Sequence, residues 1–379
     1  MIPLSLYVHV PWCVRKCPYC DFNSHQQQGE LPEADYIAAL LEDLRLDSAF
    51  IQGRSLQSIF IGGGTPSLFS AASYERLLTE IHKIVPFAAD IEITLEANPG
   101  TFEQEKFSGY RQAGINRLSI GIQSFDADNL QKLGRIHGRD EALRAADIAH
   151  KAGFDNFNLD LMFGLPGQST QQALADLQTA LDCKPTHLSW YQLTIEPNTE
   201  FFRRPPTLPA DDTIADMQQA GIDMLEPHGF LRYEISAFSR PGKESRHNLN
   251  YWQFGDYLGI GAGAHGKLTT LLPPDSMSIV RTRKTRMPQH YLQAQGKYTV
   301  ESKAVPVNEL PLEFMMNALR LCEGVDAALY QQRTGQPLAA LQPILQHLQR
   351  KQLMQSRDDR LAPTALGLRF LNEVLLEFM

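Results

Sequence analysis

Apolar and polar residues alternate along LSLYVHV (residues 4–10), a period of two that predicts a strand. The next stretch, EADYIAALLEDLRL (33–46), changes period: Ile37, Leu40, Leu41 and Leu44 fall on one helical face. The two patterns then alternate. Strands are predicted at SIFIG (58–62), IEITLEA (91–97), RLSIGIQ (117–123), NFNLDLMF (156–163) and HLSWYQL (187–193), with helices between them. Thr101 with Gln104, and Ser169 with Gln172, match a capping box, while Gly114 and Gly153 stand where helices should end. Six strand–helix units in the first 200 residues predict an α/β fold with a parallel sheet, most simply a full or partial (β/α) barrel.

Beyond residue 200 the rhythm loosens. A Pro-rich loop (FFRRPPTLPADD) precedes a helix near 211–227, and YEISAFS (233–239) and YLGIGAGAHG (257–266) each read as one later strand. From about 308 the chain turns to Leu- and Gln-rich helices with a hairpin-like QSRDDRLAPTALG, a winged-helix-like shape. Residues 308–379 carry seven Lys/Arg against eight Asp/Glu, too little positive charge for DNA. We read this segment as a lid or docking module.

The 379 residues are 43% apolar and 21% charged with a net charge of −8. That excludes a disordered or fibrous chain and leaves no basic field for nucleic acid or anionic lipid. No apolar run approaches the length of a membrane span, and the N-terminus lacks a basic region and a long apolar core, so a cytoplasmic protein without a secretory signal is expected. Five cysteines do not make a disulfide framework.

Three of those five, Cys13, Cys17 and Cys20, follow the first strand within eight residues. Thiolates at this spacing suit an iron–sulfur cluster or zinc; His9 or His25 would complete a Cys3His zinc site. Three thiolates on a four-iron cluster leave one iron open to a small molecule. The ends of successive strands add Gly62-Gly63-Gly64-Thr65-Pro66, then Glu96, Gln123 and Asp160, with Arg135 twelve residues after Gln123. In a parallel barrel these ends share one face, which holds the active site. Taken singly each is an ordinary solvated strand end, and the glycines match neither a Walker loop nor a Rossmann fingerprint. Together they offer acceptors for an ammonium, a guanidinium for a carboxylate and partners for ribose hydroxyls, which S-adenosylmethionine would satisfy.

CxxxCxxC with GGGTP resembles the radical S-adenosylmethionine superfamily. YVHVPWCVRKCPYCDF, LEANP, SIGIQSF, LGRIH and LDLMFGLPGQ more narrowly resemble the oxygen-independent coproporphyrinogen III oxidase family, over most of the chain. The resemblance implies a partial (β/α)6, TIM-like barrel, a 4Fe–4S cluster on Cys13, Cys17 and Cys20, and S-adenosylmethionine contacts at Tyr7, Gly63, Gly64, Thr65, Glu96, Gln123, Arg135, Asp160 and Ala264. It divides the chain into a barrel with cluster and ligand site (1–240), a connecting segment with late strands (241–307) and the helical C-terminal domain (308–379). Two departures stand out. The decarboxylating oxidases have a fourth cysteine where this chain has Phe22, and a long N-terminal extension before the first strand, which is not expected here, where six residues precede Tyr7.

His247-Asn248-Leu249-Asn250-Tyr251-Trp252 is the remaining signal. By spacing alone it is a histidine in a polar loop beside two core aromatics. HNxxYW is also similar to the signature of the family's heme-chaperone branch, which implies that His247 contacts heme and that heme passes to acceptor hemoproteins, without oxidase activity. The alternative is oxidative decarboxylation of coproporphyrinogen III. A nucleic-acid-modifying enzyme is disfavoured by charge, and contact with membrane hemoproteins would be transient. His25 and His265 have no sequence partner fixing a role, Tyr19 is expected to pack over the cluster or ligand, Cys183 and Cys322 to be buried small residues, and Met316–Leu321 to be core.

Overall fold

The computed structural model describes residues 1–100, 106–272 and 276–379. The Thr101–Gln104 capping box lies outside them. Twelve strands form one open sheet. Six of them follow the predicted order: β1 (Leu4–Val10), β2 (Leu56–Gly63), β3 (Phe87–Ala97), β4 (Arg117–Gln123), β5 (Phe157–Phe163) and β6 (His187–Gln192). Each pairs in parallel with the next, so the connections between them are crossovers, carried by helices. Helix α1 (Glu33–Leu46) keeps its predicted bounds, α2 (Ala71–Ile84) is N-capped by Ser70, and α3 (Thr170–Asp182) begins with the expected Ser169–Gln172 box. Gly114 and Gly153 take φ of 103° and 82°, left-handed positions after helix ends.

The alternation has an inverted meaning here. Leu4, Leu6, Val8 and Val10 point outward under the helices, in a core with Tyr36, Leu40 and Leu44 of α1. The intervening residues face a polar lumen, where Ser5 Oγ lies 2.8 Å from Ser58 Oγ. Asn158 ties Ser119, Asp160 and His187 together there at 2.7–2.8 Å. Buried polar groups without hydrogen bonds cost several kcal/mol, so this lumen is a connected network.

Three expectations are corrected beyond β6. YEISAFS is a hairpin, β7 (Leu231–Glu234) and β8 (Ala237–Ser239), because the chain turns at Ile235-Ser236. YLGIGAGAHG is likewise two strands: β9 (Asp256–Ile260) pairs in parallel with β1, and β10 (His265–Leu272) returns antiparallel. Gly261 and Gly263 supply the reversal at φ of 102° and 82°. HNxxYW is no loop: it is helix α4 (Arg246–Trp252), whose first N–H groups donate to the Glu92 carboxylate. Strands β11 (Ser276–Lys284) and β12 (Thr299–Ala304), unpredicted individually, extend this edge.

The C-terminal region is helical with a two-residue bridge, Val325–Asp326 to Arg360–Leu361. Its own core includes Phe314, Tyr330 and Leu348 and reaches Phe254 and Ile279 of the sheet edge. Ala318, Leu319 and Leu321 are buried as expected, but Met316 is exposed and its neighbour Met315 takes the core position. Cys183 and Cys322 are half-buried free thiols. No helix among the described residues is long and apolar enough to cross a membrane.

Candidate functional site

The cysteine loop leaves β1 and is fastened on both sides. Trp12–Cys13 bridges His25–Gln26, Gly64 N donates to Val10 O at 2.8 Å, and Thr65 N donates to Trp12 O at 2.7 Å. Glycine is required for this approach. A Cβ at Gly64 would sit 2.5 Å from Trp12 O, and one at Gly63, where φ is +121°, 2.7 Å from the His9 ring. The triple glycine therefore seats the cysteine loop, besides presenting bare backbone to a ligand.

Cys13, Cys17 and Cys20 line one wall of a cavity of about 480 Å³. Burial pushes the Cys13 and Cys20 thiols up, opposed at Cys13 by the hydroxyl of Thr65 and at Cys20 by the Phe22 N–H. Loading iron would release their protons. No three His, Cys, Asp or Glu side chains among the described residues are placed to hold a single ion. His9, moreover, engages the Tyr7 hydroxyl at 2.9 Å and Asn23 O at 2.8 Å, and His25 lies 3.2 Å from Asn23 Oδ1. His9 is thus committed at both nitrogens and no Cys3His set is assembled around His25 among the described residues, whereas three thiols on one cavity wall fit a cluster of several irons.

The opposite wall is made by the strand ends. Gly63, Gly64, Thr65, Glu96, Gln123, Arg135 and Asp160 all line this cavity. Burial, and then Asp160 nearby, raise the Glu96 carboxyl to about 8, although Gly63 N–H donates to it at 3.0 Å. Burial also raises Asp160, against hydrogen bonds from Asn158 and Ser119. Two carboxyls driven toward neutrality suit a cationic ligand, which would restore their charge. Arg135 spans from Asn98 Oδ1 (3.0 Å) and Gly121 O to Cys17 Sγ (3.6 Å), and its buried Nε has no partner. That orphan donor beside the thiols fits a ligand carboxylate. Gln123 holds φ +72°, unusual for a non-glycine residue, with its side chain fixed by the Tyr191 hydroxyl at 2.8 Å.

Three sequence candidates fall elsewhere. Tyr7 lines an adjoining second cavity, which shares Gly63 and Glu96 with the first. Ala264 is buried in the β9–β10 turn and lines neither. His247 is 1% exposed, with Nδ1 2.9 Å from Ser58 Oγ and Nε2 2.8 Å from the Tyr251 hydroxyl. Burial and then Arg117 lower its pKa to about 3. Against the expectation of a direct heme contact, neither ring nitrogen is available to iron in this conformation, and the residue orients Tyr251 one turn along α4. The helix is a partition: Tyr251 faces the second cavity, Asn248 and Trp252 the first.

Sequence reasoning did not single out Asn98, which joins Arg135 to Thr65 Oγ1 (3.1 Å) and lies within LEANP, two residues after Glu96. Arg320, stacked 4.3 Å from the Trp252 ring centroid, carried no local signal. Tyr19 lines the cavity beside the cysteines, and the exposed Phe22 lies at the rim common to both cavities.

An open parallel barrel with three cysteines after its first strand defines a radical S-adenosylmethionine protein. A sequence profile of the Radical SAM superfamily matches residues 7–180, and one of the HemN C-terminal domain matches 305–370. The chain is 50% identical over 377 residues to the heme chaperone HemW of Escherichia coli, covering 100% of this chain and 98% of that one. It is 51% identical over 381 residues to the heme chaperone HemW of Haemophilus influenzae, with the same coverages. The chain belongs to the HemW family. The solved coproporphyrinogen III oxidase HemN of Escherichia coli has the same fold, at a TM-score of 0.82 and 23% identity over 100% of this chain and 90% of that one. The superfamily implies a 4Fe–4S cluster and S-adenosylmethionine.

Proposed function

We propose that the protein is a cytoplasmic heme chaperone, which binds heme and passes it to acceptor hemoproteins. The observation that carries this reading is full-length similarity, 50% identity, to proteins named as heme chaperones. Phe22, where the decarboxylating oxidases have a further cysteine, supports it.

In this reading Cys13, Cys17 and Cys20 hold the cluster. Gly63, Gly64, Thr65, Glu96, Gln123, Arg135 and Asp160 hold S-adenosylmethionine, with Tyr7 behind them; Ala264 supports the turn beside the site. The bound cluster supplies an open iron position and one-electron chemistry. The chain's own residues bind and orient. Glu96 and Asp160 accept an ammonium or hydroxyls, Arg135 receives a carboxylate, and Tyr19 shields the thiols from water. Transfer asks that heme be held near the surface, where an acceptor can compete for it.

Oxidative decarboxylation of coproporphyrinogen III is the second reading, favoured by the intact strand-end set lining the first cavity. Anaerobic cluster-reconstituted protein separates the two. Saturable heme binding, heme transfer to an apo-hemoprotein and no decarboxylated product are expected; multiple turnovers to protoporphyrinogen would establish the oxidase instead.

A further inference from the structure

The second cavity, of about 610 Å³, lies between β1, α4 and the β9–β11 edge. Its size falls within the range of about 300–1,000 Å³ typical of small-molecule sites. Tyr7, Tyr251 and Tyr257 give it an aromatic wall, and Phe22, 58% exposed, adds to its rim. The rim is also cationic. Arg283 and Arg286 line it, and a smaller recess that shares His265 and Arg283 sets Arg281 and Lys303 against Glu301, Glu309 and Glu313. Aromatic faces with guanidinium groups at the edge match a flat ring system bearing carboxylates.

Two histidines line this cavity. His9 is committed at both nitrogens to Tyr7 and Asn23. His265, at the start of β10, is exposed, and none of the hydrogen bonds described reaches its ring. Partial burial, then Arg283 and Arg281, hold its pKa below the ordinary value, with Glu301 opposing. The ring is therefore neutral near pH 7 and has a lone pair to offer a metal.

We propose that heme docks in this second cavity, with a ring nitrogen of His265 on the iron and Arg283 and Arg286 receiving the porphyrin carboxylates. The inference rests on the reading of the protein as a heme binder, and adds where heme sits. The bond formed is coordinate, the imidazole lone pair displacing a weak axial ligand such as water; nothing is oxidised or reduced. Arg283 is paired with Glu301 at 2.9 Å, both half exposed, a solvent-screened contact that a carboxylate can replace. Arg286 donates to Asn23 Oδ1 through Nε alone, leaving the rest of its guanidinium to bind. Lys284 contributes only wall, since its ammonium is buried between Asp43 and Asp47. Among the acids, Asp21 and Glu96 belong to the side shared with the first cavity, while Glu301, Glu309 and Glu313 line the adjoining recess, where Glu301 pairs with Arg283 and Glu313 with Arg281, so the carboxylates of the ligand fall to Arg283 and Arg286.

The test is a heme titration of the cluster-reconstituted full chain followed by absorbance. His265→Ala is expected to shift the Soret band and weaken binding about tenfold or more, the loss of one strong directional contact. The double variant Arg283→Ala/Arg286→Ala is expected to weaken heme binding about tenfold while leaving unchanged the binding of heme dimethyl ester, whose carboxylates are masked. All three side chains are exposed, so the core is left intact. Wild-type spectra and affinities in both variants would overturn this site while leaving a heme-binding protein. Absence of saturable binding in the unaltered chain would overturn the underlying reading, and the site with it.

Discussion

Glu96→Gln separates what the site does for the fold from what it does for the ligand. With its carboxyl raised to about 8, Glu96 is about nine-tenths protonated at pH 7. An ammonium bound there needs the carboxylate, so binding expels that proton. The apparent affinity for S-adenosylmethionine should then fall with pH, roughly fifteenfold from pH 8 to pH 6.5. Calorimetry at pH 7 in buffers of different ionisation enthalpy should count about 0.9 proton released. Asp160, raised in the same sense, steepens the slope. The stability sign is opposite to that of a salt-bridged carboxylate. A folded-state pKa above the unfolded one means the unfolded chain releases the proton first, so stability falls as pH rises from about 4.3 to about 8. The ceiling at pH 7 is about 3.5 kcal/mol, and less in practice because the carboxyl reaches cavity water. Gln keeps the acceptor for Gly63 N–H without the charge. The variant should therefore melt higher than the parent at pH 8, match it at pH 5, and bind S-adenosylmethionine weakly, with only the shallower pH dependence that Asp160 leaves. Affinity of the parent that does not change between pH 6.5 and 8 would refute the argument.

Four further outcomes are expected. Cys13→Ala/Cys17→Ala/Cys20→Ala should lose both iron and acid-labile sulfide on reconstitution; retention of both in elemental analysis would remove the cluster assignment. Arg135→Ala should weaken S-adenosylmethionine binding by about tenfold or more while most of the iron is kept, because three thiolates hold the cluster and Arg135 gives one of them, Cys17, only a 3.6 Å hydrogen bond besides its contacts to Asn98 and Gly121; unchanged affinity would exclude the carboxylate role. Gly64→Ala, which removes no cluster thiolate, should lower cluster occupancy as well as S-adenosylmethionine binding, since the new Cβ would lie 2.5 Å from Trp12 O and displace the cysteine loop; wild-type iron content would refute this. Asp256→Asn should cost about 3–5 kcal/mol in urea denaturation. It strands Arg54 (2.8 Å) and Lys267 (3.0 Å), both buried, at the foot of β9.

What the sequence disclosed and what it withheld divide along one physical line. Features set by local period or spacing were legible: β1 to β6, the bounds of α1, the Ser169 cap, and the strand ends that meet around one cavity. Features set by partners distant in sequence were not. The alternation in β1 identifies a strand but not which face is core, and only Ser58 and His247 opposite Ser5 show that its polar face lines a lumen. The glycines after β2 read as room for a ligand, while their tightest neighbours are His9 and Trp12. His247 is the sharpest case. A histidine four residues before a tyrosine is compatible with a ligand or with a brace, and the choice depends on Ser58, 189 positions away. Because it braces Tyr251, the motif can still matter for heme without touching it: α4 shapes both cavities, and Tyr251 forms part of the wall that faces His265. Loss of heme binding in a His247 variant would thus not by itself identify an iron ligand. A displaced Tyr251 would give the same loss with the Soret position of the remaining complex unchanged, whereas removal of His265 would shift it.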